Sequence, residues 1–150
     1  RHPSWFSDLA YNFFSNNNIC MVWNQLDRIQ SPAIVTSDFV YLRLIGDRSI
    51  KEGDFGMIQK DRIEEMKYWA DKFRTVEETE KEVKIGIVAA NNHYAGFGAA
   101  TANMFRVMKG LNSVEWGVRK EIDYVPETRF SMGTEVHKSK QKTLFDYPNE

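Results

Sequence analysis

The sequence predicts an α/β fold built on a parallel sheet, and three observations carry that expectation. Short apolar runs at residues 19–23, 39–45 and 83–90 read as strands buried on both faces. Segments of helical period at 3–16, 61–78 and 99–108 are interspersed with them. Turn-forming residues stand at the junctions, among them Asn16-Asn17-Asn18, Ser31-Pro32, Gly46, Gly96 and Gly110. Alternation of this kind is that of a sheet covered by helices.

Each element has its own reason. Pro3 and Ser4 suit a helix start, and Trp5, Phe6, Leu9, Phe13 and Phe14 follow at mostly helical spacing. Asparagines end that helix, because they favour turns and tolerate left-handed backbone. Ile19-Cys20-Met21-Val22-Trp23 is a continuous apolar strand that Asn24-Gln25 is expected to close. Residues 25–37 read as a loop. Residues 39–45 are the strongest strand, rich in aromatic and branched side chains, with Arg43 as a permanent charge inside it. Residues 46–60 are glycine- and charge-rich and read as an excursion. In 61–78 Ile63, Met66, Ala70, Phe73 and Val76 recur every three or four residues, the mark of a helix with one apolar face. A strand at 83–90 then meets Asn91-Asn92-His93, and Gly96 and Gly98 loosen the entry to the last helix, which Gly110 stops.

Composition narrows the function classes. Lysine plus arginine number 20 and aspartate plus glutamate 21, so no global field draws the chain to nucleic acid or anionic lipid. A hydrophobic content of 42% supports a packed core. Cys20 is the one cysteine, so no intrachain disulfide or cysteine metal site can form, and a buried structural thiol is expected. No apolar run approaches the about 20 residues of a membrane span, and no secretory leader is visible, so a cytoplasmic protein is expected. The chain starts at Arg1 without an initiator methionine, and a preceding segment is expected.

Three segments taken together resemble a known family. Arg1-His2-Pro3-Ser4-Trp5, Phe39-Val40-Tyr41-Leu42-Arg43-Leu44-Ile45-Gly46 and Asn91-Asn92-His93-Tyr94-Ala95-Gly96-Phe97-Gly98 stand in the order and spacing of the YecE-like family, a domain of unknown function. Ala100-Thr101-Ala102-Asn103 resembles that family's final helix. The resemblance implies a TIM-like (β/α) barrel, with this chain covering strands six to eight and flanking helices: strand six at 19–23, seven at 39–45, eight at 83–90. Residues 1–110 would form the C-terminal half of the barrel and 111–150 an extension with a flexible tail. A full barrel takes about 250 residues, so an N-terminal half in the same or another chain is expected as a partner. The family's glycine- and tryptophan-rich opening motif is absent here, as is the glutamate that precedes the Arg1 position. Trp23-Asn24-Gln25 stands where many relatives carry an aspartate.

Barrel active sites lie at the C-terminal ends of the strands. That rule gathers His2, Asn24, Arg43, Asn91, Asn92 and His93 at one mouth, with Trp5 and Phe97 as apolar walls. Arg43 either clamps a carboxylate or phosphate of a ligand or pairs with an acid from the other half. His2 and His93 are candidate acid–base groups, with Arg43 holding the anion; either histidine alternatively ties down a loop. Asn91 and Asn92 either orient a polar ligand or cap the strand end. No H-E-x-x-H or C-x-x-C pattern is present, so no metal is assigned, and the cofactor is left unassigned. The expected function is an enzyme acting on a small anionic or polyhydroxylated ligand. The alternative is a non-catalytic scaffold linked to nucleic-acid maintenance. Its support is the tail, where Gln141, Leu144 and Tyr147 resemble a motif that docks on sliding clamps, against the alternative that the tail packs on its own domain.

Overall fold

A computed structural model describes residues 2–115. The clamp-like residues Gln141, Leu144 and Tyr147 lie outside the described residues. His2 caps a short 3-10 turn, Pro3–Trp5. The helices are α1 (Asp8–Asn16), α2 (Ile63–Thr79), α3 (Asn92–Ala95) and α4 (Gly98–Met108). The strands β1 (Trp23–Leu26), β2 (Phe39–Gly46) and β3 (Ile85–Ala90) form a parallel sheet in the order β1-β2-β3. The mixed α/β class and the parallel pairing agree with the sequence expectation.

Several boundaries differ, each for a local reason. The helix expected over 3–16 is split, because the Ser7 hydroxyl accepts the Ala10 N–H and starts α1 afresh. Asn18 ends that segment at φ 50°, as its side-chain chemistry suggests, and its Oδ1 accepts the Asp38 N–H at 3.0 Å. The first strand is displaced: it runs over Trp23–Leu26, not 19–23. Asn24 and Gln25, expected to close it, lie inside it at 7% and 6% exposure. They are tolerated because their polar groups are met. Asn24 Nδ2 donates to the Val22 carbonyl at 2.7 Å, and Gln25 Oε1 accepts from Trp69 Nε1 at 2.9 Å.

The core lies between the sheet and the pair α2 and α4. Along β2, Val40, Leu42 and Leu44 point into it, since alternate residues of a strand share a face. From α2 come Met66, Trp69, Ala70, Phe73 and Val76; from α4 comes Phe105. Trp23 stacks on Trp69 at 5.7 Å and meets Phe73 edge-on at 5.5 Å. Each such fully buried large side chain stabilises the fold by roughly 1.5–3 kcal/mol. After Gly110 the chain turns back on α4: Val114 N–H donates to Asn103 Oδ1 at 2.6 Å, and Arg106 reaches the Asn112 carbonyl.

β1 is buried at Trp23, Asn24 and Gln25 alike, as strands covered on both sides are, but the opposite face of β2 and β3 corrects that expectation for them. It carries Phe39, Tyr41, Arg43 and Ile45 from β2, all half-buried, and Ile85 and Ile87 from β3 at 59% and 42% exposure. No helix layer among the described residues covers it as α2 and α4 cover the core face. Among the described residues no helix is long and apolar enough to cross a membrane.

Candidate functional site

β2 ends where only glycine fits. Gly46 has φ +78°, and a Cβ there would run into the backbone carbonyl of His93, so the strand end and α3 can approach only without a side chain. The loop that follows is tied down from both sides. Asp47 accepts the Ser49 N–H at 2.9 Å and the Lys60 ammonium at 2.6 Å, which brings the two ends of the loop together. Those donors, Lys60 foremost, hold the Asp47 carboxyl below the usual carboxylate range. Further along, Gly56 N–H donates to the Gly96 carbonyl at 3.1 Å and Gln59 N–H to the Ala95 carbonyl at 2.7 Å. The loop is thus sewn onto α3.

α3 is itself fastened to α2. The Tyr94 hydroxyl donates to Glu65 Oε2 at 3.0 Å, Arg62 pairs with Glu65 Oε1 at 2.8 Å, and the Arg62 guanidinium lies 5.4 Å from the Tyr94 ring centroid. Burial and the neighbouring Glu65 carboxylate push the Tyr94 phenol well above its ordinary value, so it remains a neutral donor. The loop carrying the polar residues is therefore backed by a satisfied buried network.

At the C-terminal edge of the sheet this frame leaves a hollow of about 570 Å³, lined by Arg43, Ile45, Arg48, Ile50, Lys51, Glu52, Asn91 and His93. Three cations and one carboxylate share it. Arg43 is half-buried, and its side chain makes no hydrogen bond or ion pair with any other described residue. A guanidinium in that position is costly unless a partner meets it, since it cannot lose its proton. Arg48 holds a left-handed backbone, φ 64°, on the turn after β2.

His93 Nδ1 lies 3.1 Å from the Ile50 carbonyl, which can only accept, so Nδ1 is the donor there and Nε2 is the acceptor of the neutral tautomer. Phe55 meets the imidazole edge-on at 4.9 Å. Asn91 lines the hollow and also caps α3, its Oδ1 accepting the His93 N–H at 2.9 Å. Asn92 is exposed and outside the hollow; its Oδ1 accepts the Gly98 N–H at 2.8 Å, a turn-forming role.

A second hollow of about 440 Å³ adjoins the first through Arg43, which lines both. Its other residues are Trp5, Phe6, Phe14, Cys20, Met21, Val22, Asn24 and Tyr41. Asn24 sits directly beside Arg43 in the sheet register. Trp5 stacks on Phe14 at 5.9 Å. Cys20 is half-buried here, not sealed in the core as its apolar run suggests.

Of the residues singled out from the sequence, Arg43, Asn91 and His93 share one hollow, and Trp5, Asn24 and Arg43 the other. Three do not join them: Asn92, as described above, His2 and Phe97. His2 lines neither hollow, and its Nδ1 accepts the Ser4 N–H at 3.2 Å. Phe97 is also outside both, and its carbonyl accepts the Thr101 N–H at 2.9 Å. Sequence reasoning missed Arg48, Lys51 and Tyr41. Arg48 and Lys51 had one available signal: they lie in the loop after the strongest strand, where strand-end chemistry collects. Among the described residues no three His, Cys, Asp or Glu side chains gather into a metal site.

Comparisons with known proteins agree with the family resemblance. A crystal structure of a DUF72 family protein from Thermotoga maritima is similar, with a TM-score of 0.54 and 27% identity over 72% of this chain and 43% of that one. A DUF72 family protein from Enterococcus faecalis has the same fold, with a TM-score of 0.51 and 17% identity over 80% of this chain and 49% of that one. The chain thus spans less than half the length of these solved structures. No curated protein matches it. The family model described as "Protein of unknown function DUF72" matches residues 1–122, and the chain belongs to that family, the YecE-like proteins.

Proposed function

We propose that this chain supplies strands six to eight of a (β/α)₈ barrel and that the barrel mouth binds a small anionic ligand in the cytoplasm. The single observation that carries the ligand reading is Arg43. It stands near the C-terminal end of the central strand with no partner among the described residues, in a hollow it shares with Arg48, Lys51, Asn91 and His93. Two charged guanidinium groups, an ammonium and an amide are the donors that a phosphate or carboxylate requires. The barrel reading is supported by the second face of the parallel sheet, which is only partly covered by the described residues, since parallel sheets are ordinarily covered on both sides. It is also supported by the coverage of the solved relatives, which leaves room for a further half.

In an enzyme built on this site, Arg43 holds the anion and the neutral form of the His93 imidazole, with Nδ1 donating to the Ile50 carbonyl, accepts a proton at Nε2 from the bound molecule. Calorimetric titration of the full chain with inorganic phosphate tests the binding step. Saturable binding that Arg43→Leu abolishes is the expected result. The same variant should unfold at an equal or higher urea concentration, because it removes an unpaired charge from the sheet. Phosphate binding that is unchanged in Arg43→Leu, or no binding to the native chain, overturns the reading.

A further inference from the structure

The anion site has an aromatic neighbour, and the connection between them points to a ligand with two parts. On β2, Tyr41 and Arg43 are two residues apart on one face, a separation of about 7 Å along a strand. Tyr41 lies with Trp5, Phe6 and Phe14 around the second hollow, whereas Arg43 lines that hollow and the cationic one beyond it. One molecule held by Arg43 through its charged end therefore places its remainder against aromatic walls. Those walls are available: Trp5 is 53% exposed although it lies nearly parallel to Phe14, at 17°.

The chemistry of the walls selects the remainder. Asn24 and Arg43 are the polar side chains of the second hollow apart from the Tyr41 hydroxyl and the Cys20 thiol, and the Asn24 amide already donates to the Val22 carbonyl. A sugar ring would bring several hydroxyls to a wall with few partners for them. A flat aromatic ring asks only for π-faces, which three phenyl-type rings and an indole supply. We propose that the ligand is a small aromatic phosphate or carboxylate, with its ring among Trp5, Phe14 and Tyr41 and its charged group at Arg43, Arg48 and Lys51. This inference rests on the anion-binding reading and adds the ring subsite to it.

The test compares three probes on the full chain by calorimetry: inorganic phosphate, glucose 6-phosphate and phenyl phosphate. Phenyl phosphate should bind about tenfold tighter than the other two, the scale of one ring-stacking contact. Trp5→Leu keeps apolar bulk without the indole face. It should erase most of that preference while leaving the affinity for inorganic phosphate within about twofold, because Trp5 does not line the cationic hollow. Arg43→Leu should weaken all three. If phosphate binds but phenyl phosphate gains nothing, or if glucose 6-phosphate binds tightest, the ring subsite is refuted and the anion site stands. A preference for phenyl phosphate that survives Trp5→Leu also refutes it as placed. Binding of none of the probes overturns both readings together.

Discussion

Replacing Trp69 by phenylalanine tests why β1 tolerates polar residues in its interior. The Trp69 side chain is fully buried, and its Nε1 donates to Gln25 Oε1 at 2.9 Å with Gln25 6% exposed. Phenylalanine fills most of the same space but has no N–H. The Gln25 carbonyl oxygen is then left buried without its donor, at a cost of about 1–3 kcal/mol. The smaller ring adds about 1 kcal/mol for the gap it leaves against Trp23. The variant should therefore lose roughly 2–4 kcal/mol, a large share of the 5–15 kcal/mol typical of a folded domain. Equilibrium urea unfolding followed by circular dichroism measures it, with an unchanged slope showing that only stability moved. Adding Gln25→Leu to the same chain removes the stranded acceptor and should restore about 1–2 kcal/mol. A Trp69→Phe variant within about 0.5 kcal/mol of the native chain refutes the reasoning, as does a double variant no more stable than the single one.

Other perturbations separate the remaining interactions. Gly46→Ala should cost more than the roughly 1–3 kcal/mol of a left-handed alanine, because the new methyl also meets the His93 carbonyl. Gly110→Ala, at φ +74° with nothing among the described residues near the added methyl, should cost only the backbone part; equal losses in the two urea curves would contradict this account. Tyr94→Phe should lose about 0.5–1.5 kcal/mol, since Glu65 keeps Arg62 as a partner. The native Tyr94 phenol is held above its ordinary value of 10.0, so its contribution is present below that pH and is lost as pH rises beyond it. Native stability should thus fall more steeply above pH 10 than that of the Phe variant, and parallel curves would argue against a buried neutral phenol. Asp47 is the opposite case: its carboxyl is depressed, so its contribution is present above 3.8 and is lost as pH falls further. The stability difference between the native chain and Asp47→Asn should shrink in that acidic range, and a difference that persists in full at pH 2 rules out the Lys60 pairing as its source.

The sequence by itself determined the class of fold and the central strand. The run of aromatic and branched side chains over residues 39–45 is a local property, so the central strand followed from it, whereas the packing of only its Val40, Leu42 and Leu44 face did not. The pattern of α2 is local too, and its apolar spacing marked Met66, Ala70, Phe73 and Val76 as core. Tertiary structure decided what depends on partners distant in sequence. Asn24 and Gln25 read as a strand end because polar side chains are costly inside a sheet; Trp69, 44 residues after Gln25, supplies the donor that removes the cost for Gln25. Arg48 and Lys51 read as loop charge. They reach the Arg43 hollow because Gly46 lets β2 meet α3, and hydrogen bonds to Gly96, Ala95 and His93 hold the loop there. His2 read either as an acid–base group at the same mouth or as a tie for a loop; in the folded chain it lines neither hollow and its ring accepts the Ser4 N–H. Residue chemistry names what a side chain can do, whereas the packing of remote segments decides which side chains share a hollow, because those contacts are set by shape and hydrogen bonding and not by spacing along the chain.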